Sequence, residues 1–256
     1  MDLRQRTAIV TGAGRGIGRE IALGLARVGA RVAVLARSSH QVLETVRLVH
    51  DAGGEALAVP ADVADPAART DAVRVVADAY GSVDILVNNA AVVAPLGPSA
   101  KIDIDEWAAA VAVNVTAVAA LTFAVLPGML DRGWGRIVNI STSVAKNPAG
   151  MIGANAYVTT KSALEAHTVN LAAELADTGV TVNAYRPGSV DTAMQEWIRA
   201  QDESDVPHLH RHFHRNYREG LLITPAASAA GLLPRLGGDA TGQLWDVKDQ
   251  PPAAAS

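Results

Sequence analysis

Short β-branched and aliphatic runs alternate with longer helical segments along almost the whole chain, and this alternation limits the fold more than any other feature. Thr7–Thr11, Arg31–Ala36, Glu55–Pro60, Asp84–Asn88, Arg136–Ser141, Thr181–Tyr185 and Gln243–Val247 read as strands. Their nearly continuous apolar character is what a parallel strand covered on both faces requires. Between them, Gly16–Val28, His40–Asp51, Pro66–Tyr80, Asp105–Leu130, Tyr157–Leu175 and Ala226–Leu233 read as helices. Neighbouring parallel strands need long crossovers, and helices supply them. The expected fold class is therefore α/β, a doubly wound seven-stranded parallel sheet with helices on both faces. One domain over residues 1–250 is expected, because 256 residues suit one large α/β unit and neither a repeat nor a linker interrupts the pattern.

Two segments break the rhythm. Ser143–Ala156 bears Gly, Asn and Pro and reads as a loop, while Thr192–Gly220 is a long polar insertion placed where lids cover sites. The end, 251–256, reads as a disordered tail. The absence of cysteine excludes thiol nucleophiles and Cys-based zinc sites, and suits a reducing compartment. A net charge of −4 argues against nucleic acid as a partner. Arg4 and Arg6 run straight into the first strand, so no signal peptide is expected. The apolar runs are read as too interrupted to span a membrane, and a cytoplasmic location is expected.

Thr11-Gly-Ala-Gly-Arg-Gly-Ile-Gly18 follows the first strand and opens the first helix. Glycines at 12, 14, 16 and 18, with Arg15 and Ile17 between, permit a tight turn and let backbone approach a pyrophosphate seated on the helix N-terminus. A site selective for NAD places an acid about 20 residues on, against the adenosine 2′-hydroxyl. Here the second strand ends in Ala36-Arg37-Ser38. A carboxylate would repel a 2′-phosphate, whereas Arg15 and Arg37 would pair with it. NADP(H) is therefore expected over NAD(H). The first fifty residues hold eight arginines (4, 6, 15, 19, 27, 31, 37 and 47), and position rather than number decides which serve a cofactor.

Of four tyrosines, only Tyr157 has a lysine four residues later, Lys161. On a helix this spacing puts both on one face, about 6 Å apart along the axis. A phenol near pKa 10 is a poor acid–base group at neutral pH, and a neighbouring ammonium brings it toward the working range.

With these motifs together, the chain resembles the short-chain dehydrogenase/reductase family, of the short single-domain, Rossmann-like type. The landmarks fall in family order: the Thr11–Gly18 loop, Asp62-Val63, Asn88-Asn89-Ala90, Asn114, the Ser/Thr cluster after Arg136, Tyr157/Lys161, and Pro187-Gly188 through Val190 to Thr192. The resemblance implies that Asp62 and Val63 hold the adenine and that Asn89 and Ala90 line the ribose side. It implies that Lys161 holds the nicotinamide ribose, that Asn114 supports a relay water behind it, and that Val190 and Thr192 fix the carboxamide. Tyr157 would protonate the substrate oxygen as hydride arrives at carbon. The family's carbonyl-polarising serine has two claimants. Counting from the strand gives Thr142; counting back from Tyr157 favours Ser143, which is preferred. Ala91 stands where the family commonly has Gly.

In the lid, His208, His210, His212 and His214 have spacings that suit zinc, but no carboxylate base accompanies them, and no metal is expected. A lid helix with Leu209, Phe213 and Leu221 on its apolar face is the alternative. Met194 and Trp197 are candidates for lining the substrate pocket or, equally, for packing within the lid. Segments 187–195, 219–225 and 241–247 resemble the sepiapterin reductase and benzil reductase branch. An NADPH-dependent carbonyl or diketone reductase is expected, with a 3-oxoacyl-thioester reductase or hydroxysteroid-type dehydrogenase as alternatives, and a non-catalytic NADP-binding regulator as a remote one. The excess of alanine and valine on the fourth and fifth helical segments points to a homodimer or homotetramer.

Overall fold

The computed structural model describes residues 3–249, so the expected tail lies outside them. The strands are β1 (Thr7–Thr11), β2 (Arg31–Ala36), β3 (Glu55–Pro60), β4 (Ile85–Asn88), β5 (Gly135–Ile140), β6 (Val180–Arg186) and β7 (Leu244–Asp246). They form one sheet in the order β3-β2-β1-β4-β5-β6-β7, with every pairing parallel. All five residues of β1 are buried, as its unbroken Thr-Ala-Ile-Val-Thr run required.

Alternation along the strands feeds two cores. Ile9, Leu35, Leu86 and Ile137 face one side; Val10, Val34, Val87 and Val138 face the other. Helices α1 (Gly16–Arg27), α2 (Ser39–Asp51) and α9 (Pro225–Leu232) cover the second side through Ile21, Val46 and Leu232. Helices α3 (Pro66–Tyr80), α5 (Ala117–Asp131) and α6 (Asn155–Glu174) cover the first through Val76, Leu121 and Leu171. Each such fully buried aliphatic side chain contributes about 1.5–3 kcal/mol.

One composition-based expectation is corrected. Helix α4 (Ile104–Val111), a π turn (Ala112–Thr116) and α5 run on without a break, and Ile104–Asp131 is long and apolar enough to cross a membrane by length and composition. Its apolar residues instead serve the sheet: Val118, Leu121, Val125 and Met129 are buried beneath it, while Phe123 and Leu130 stay exposed.

The chain runs outward one way from β1 through β2 to β3, then returns to β4 on β1's other side. This reversal opens a crevice at the carboxyl ends of β1 and β4, where ligands of open α/β sheets bind. The polar insertion supplies α7 (Ala193–Arg199) and α8 (Pro207–Arg218) over that crevice. Ile198, Val206, Leu209 and Phe213 pack there with Val93, Met151 and Val158 as a third, smaller core. Leu221 is left exposed because it follows the end of α8, so the lid's apolar face is shorter than expected.

Candidate active site

The crevice is a cavity of about 1010 Å³ running from the glycine turn to the lid. Its glycine-turn end is built by β1 and α1. Gly12 has φ +64°, a conformation L residues avoid, which lets the chain double back after Thr11. Gly18 is needed for space, since a Cβ there would come within 2.5 Å of the Gly12 carbonyl oxygen. Gly18 thus packs behind the turn, whereas Gly12, Gly14, Arg15, Gly16 and Ile17 line the cavity. The N-terminus of α1 has neither a side-chain cap nor a first-turn acid, so its free N–H groups and positive dipole end meet the cavity.

Arginine position divides the N-terminal cluster. Arg15 and Arg37 line the cavity, and among the described residues neither guanidinium group has a hydrogen-bonding or ion-pairing partner. Arg19 instead holds the turn, donating from Nη2 to the Gly14 carbonyl at 2.6 Å and from Nε to Thr45 at 3.0 Å. The Thr45 hydroxyl donates in turn to the Ala13 carbonyl at 3.0 Å. This clamp escaped sequence reasoning, although Thr45 is the one polar residue on the buried Val42/Val46/Val49 stripe of α2. Arg47 is spent on Glu44 and Asp51, and Arg6 on Asp84.

Beyond the ends of β2, β3 and β4 the cavity wall gathers Asp62, Val63, Asn89 and Ala90 with Ser38, the N-cap of α2. Asn89 also has a structural task, donating from Nδ2 to the Thr11 carbonyl at 2.9 Å and tying the β4 turn to the glycine turn. With open helix N–H groups, two unpaired arginines and no acid at the end of β2, these residues fit a dinucleotide bearing a 2′-phosphate.

At the other end, Tyr157 and Lys161 line the wall formed by α6. Lys161 is buried, donates to the Ile140 carbonyl at 2.6 Å, and sits with Nζ 5.9 Å from the Tyr157 ring centre. Burial pushes the Tyr157 phenol up to about 12, while a hydrogen bond from the Thr142 hydroxyl draws it back. Burial also lowers Lys161 to about 8, opposed by the Glu165 carboxylate. Pro187, Gly188, Val190 and Thr192 line the same end, where Val190 bridges to Ile223 and Thr192 caps α7.

Asn114 and Ser143, both expected to be catalytic, stand in different settings. Asn114 does not line the cavity. Buried in the π turn, it accepts from Val92 N at 2.9 Å and donates to the Val92 carbonyl and to Thr160 at 2.8 and 3.1 Å. It therefore anchors α6 one residue before Lys161. Thr142 and Ser143 both line the cavity with Tyr157: Thr142 is half-buried and lowers the Tyr157 pKa through its hydroxyl, and Ser143 is exposed at the start of a 3₁₀ turn, Ser143–Lys146. A second 3₁₀ turn, Pro148–Gly150, takes up length in the loop between these hydroxyls and Tyr157.

The lid end is walled by Met151, Met194, Ile198 and Phe213, with Gln195 and His212 adding polar atoms. Trp197 is 41% exposed and outside the cavity, contrary to expectation. Three of the four lid histidines have partners. His212 Nε2 lies 3.1 Å from the Asn216 amide, His214 Nε2 lies 3.1 Å from the Arg199 carbonyl, and His210 stacks on His214 at 4.1 Å.

Comparison with known proteins agrees with this geometry. Residues 6–203 match the family model of the short chain dehydrogenases. The chain belongs to the short-chain dehydrogenase family. It is 39% identical over 204 residues to the 3-oxoacyl-(acyl-carrier-protein) reductase of Synechocystis sp., covering 78% of this chain and 80% of that one. It is 35% identical over 232 residues to the short-chain reductase protein NovJ of Streptomyces niveus, covering 89% and 85%. Among solved structures it is similar to a variant of actinorhodin polyketide ketoreductase with NADPH, at TM-score 0.83 and 34% identity, covering 94% and 95%. NAD⁺-bound xylitol dehydrogenase matches at TM-score 0.85 and 25% identity, covering 96% and 98%. As a short-chain dehydrogenase, the chain is an oxidoreductase acting on ketone and alcohol groups.

Proposed function

We propose that this short-chain dehydrogenase reduces a small or medium ketone or diketone with NADPH, using Tyr157 as the acid. The observation that carries the reading is the Tyr157 phenol, with Thr142 in the same cavity wall and Lys161 behind it, at one end of a cavity whose other end is the glycine turn. The cofactor, when bound, supplies the hydride. Thr142 donates to the carbonyl oxygen and polarises it, Tyr157 gives that oxygen its proton, and Lys161 steadies the phenolate that remains. The mixed apolar and polar lid wall suits a substrate with an apolar body and a second oxygen. The resemblance of segments 187–195 and 241–247 to the sepiapterin and benzil reductase branch supports the diketone reading. Similarity to the Synechocystis reductase favours a second reading, a 3-oxoacyl thioester as substrate.

The deciding assay follows NADPH oxidation at 340 nm over ketones, vicinal diketones, pterins and 3-oxoacyl thioesters. Turnover of none of them would overturn the proposal. NADPH is preferred over NADH because Arg15 and Arg37 stand ready for the 2′-phosphate. Arg37→Asp is expected to raise KM for NADPH about 10- to 100-fold, as loss of a charge-assisted pair plus repulsion implies. An unchanged NADPH/NADH preference would remove Arg37 from cofactor choice. Thr142→Ala is expected to lower kcat by about 10²-fold with cofactor affinity intact, and Ser143→Ala to leave kcat near wild type. The opposite ranking would restore Ser143. Exposed Phe123 and Val169 on α5 and α6 support assembly as a homodimer or homotetramer, which light scattering would read.

A further inference from the structure

Behind the Tyr157–Lys161 pair lies a buried ion pair that the hydride-transfer chemistry does not itself require. Glu165 follows Lys161 by one turn of α6, so Tyr157, Lys161 and Glu165 share one helix face. Glu165 and Arg186 are 8% and 4% exposed. The Glu165 carboxylate accepts from Arg186 Nε at 2.8 Å and Nη2 at 2.6 Å, a two-pronged pairing. The same carboxylate accepts from the Ser141 hydroxyl at 2.7 Å.

These contacts join three segments around the reacting end of the cavity. Ser141 lies between Ile140, whose carbonyl receives Lys161, and Thr142, whose hydroxyl meets Tyr157. Arg186 ends β6 and directly precedes the Pro187-Gly188 turn. Resting on the functional reading above, we propose that Glu165 and Arg186 are positioning residues for hydride transfer. Their pairing holds the ends of β5 and β6 against α6 and keeps a charge-balanced unit behind Lys161. A buried ion pair is costly to desolvate and is weak evidence of stabilisation for its own sake. Its place, touching every segment that carries a reacting group, accounts for it better.

Other charged groups near this point are Lys161 and Tyr157 on α6 itself, and Asp246, opposite Arg186 in the β6–β7 register. Lys146 lies 3.8 Å from Asp246, and Arg235 donates to the Asp246 carbonyl. Glu165→Gln preserves shape and an acceptor for Ser141 but leaves the Arg186 charge uncompensated. Losing a negative charge favours proton loss from Lys161 and Tyr157 alike, so the alkaline limb of the kcat–pH profile is expected about 1 unit lower. A shift in segment position on the order of 1 Å should also lower kcat up to about 100-fold. The unpaired charge should lower Tm by about 6–12 °C. Glu165→Gln/Arg186→Met removes both charges. It should return the limb and most of the lost Tm, with kcat still below wild type because the fork to β6 is gone.

The measurements are NADPH oxidation against pH with whichever ketone is turned over, NADPH binding by fluorescence, and thermal unfolding. A folded Glu165→Gln with wild-type kcat and limb overturns the proposal, as does Tm loss with no change in either. Should Glu165→Gln fail to fold, the double variant decides, and wild-type kcat there overturns it. Tyr157→Phe is run in parallel. Full activity in that variant would overturn the catalytic reading itself, separately from the role of Glu165.

Discussion

Tyr157→Phe is expected to lower kcat for ketone reduction by about 10²–10⁴-fold, the span general-acid catalysis supplies. Phenylalanine keeps the ring that packs with the lid core, so the cavity and its affinity for NADPH should persist. Only the proton is lost. Burial holds the Tyr157 phenol up to about 12 in the free protein, so at neutral pH it carries its proton, the state reduction needs. Alcohol oxidation needs the opposite state, and the variant should lose that direction as well. Single-turnover oxidation of bound NADPH separates chemistry from binding. Retention of about a tenth of wild-type kcat or more would remove Tyr157 from the proton transfer.

Lys161→Met should be comparably severe, about 10²–10⁴-fold in kcat/KM, but with a different pH signature. Burial lowers Lys161 to about 8, against the pull of Glu165, so the side chain is an ammonium below that value and neutral above it. In wild type, the cation that steadies the forming phenolate is therefore lost as pH rises through about 8, and reduction should fall along that limb. Methionine fills similar space without the charge. The limb near 8 should then vanish, leaving a low rate that is flat until the phenol itself titrates. A limb near 8 that persists in Lys161→Met would assign it to another group. Oxidation should suffer more than reduction, because without the ammonium the phenolate becomes still harder to form.

Much of the site was legible because its signals are local. The Tyr157–Lys161 spacing needs only a helix, and a helix over 157–175 was plain from periodicity. Residues of the glycine turn, the β2 end and the Pro187–Thr192 segment do line one cavity. The exceptions were residues whose task is set across the fold. Gly18 and Asn114 pack behind the site, Trp197 points away from it, and Arg19 serves the turn rather than a phosphate. None of this can be read from neighbours in sequence, because the partners Asn89, Val92 and Thr45 come from other elements.

Sequence alone determined the parallel sheet, the glycine turn and the Tyr157–Lys161 spacing, since continuous apolar runs, helical stretches and a run of glycines act over a few residues. Tertiary structure alone decided how deeply each hydroxyl is buried and which carboxylate stands behind Lys161. Thr142 and Ser143 both line the cavity beyond the end of β5, Thr142 half-buried and Ser143 exposed at the start of the 3₁₀ turn. Glu165 finds Arg186 and Ser141 across separations of 21 and 24 residues. Such pairings exist only once helix and sheet have packed and excluded the water that would otherwise solvate each charge.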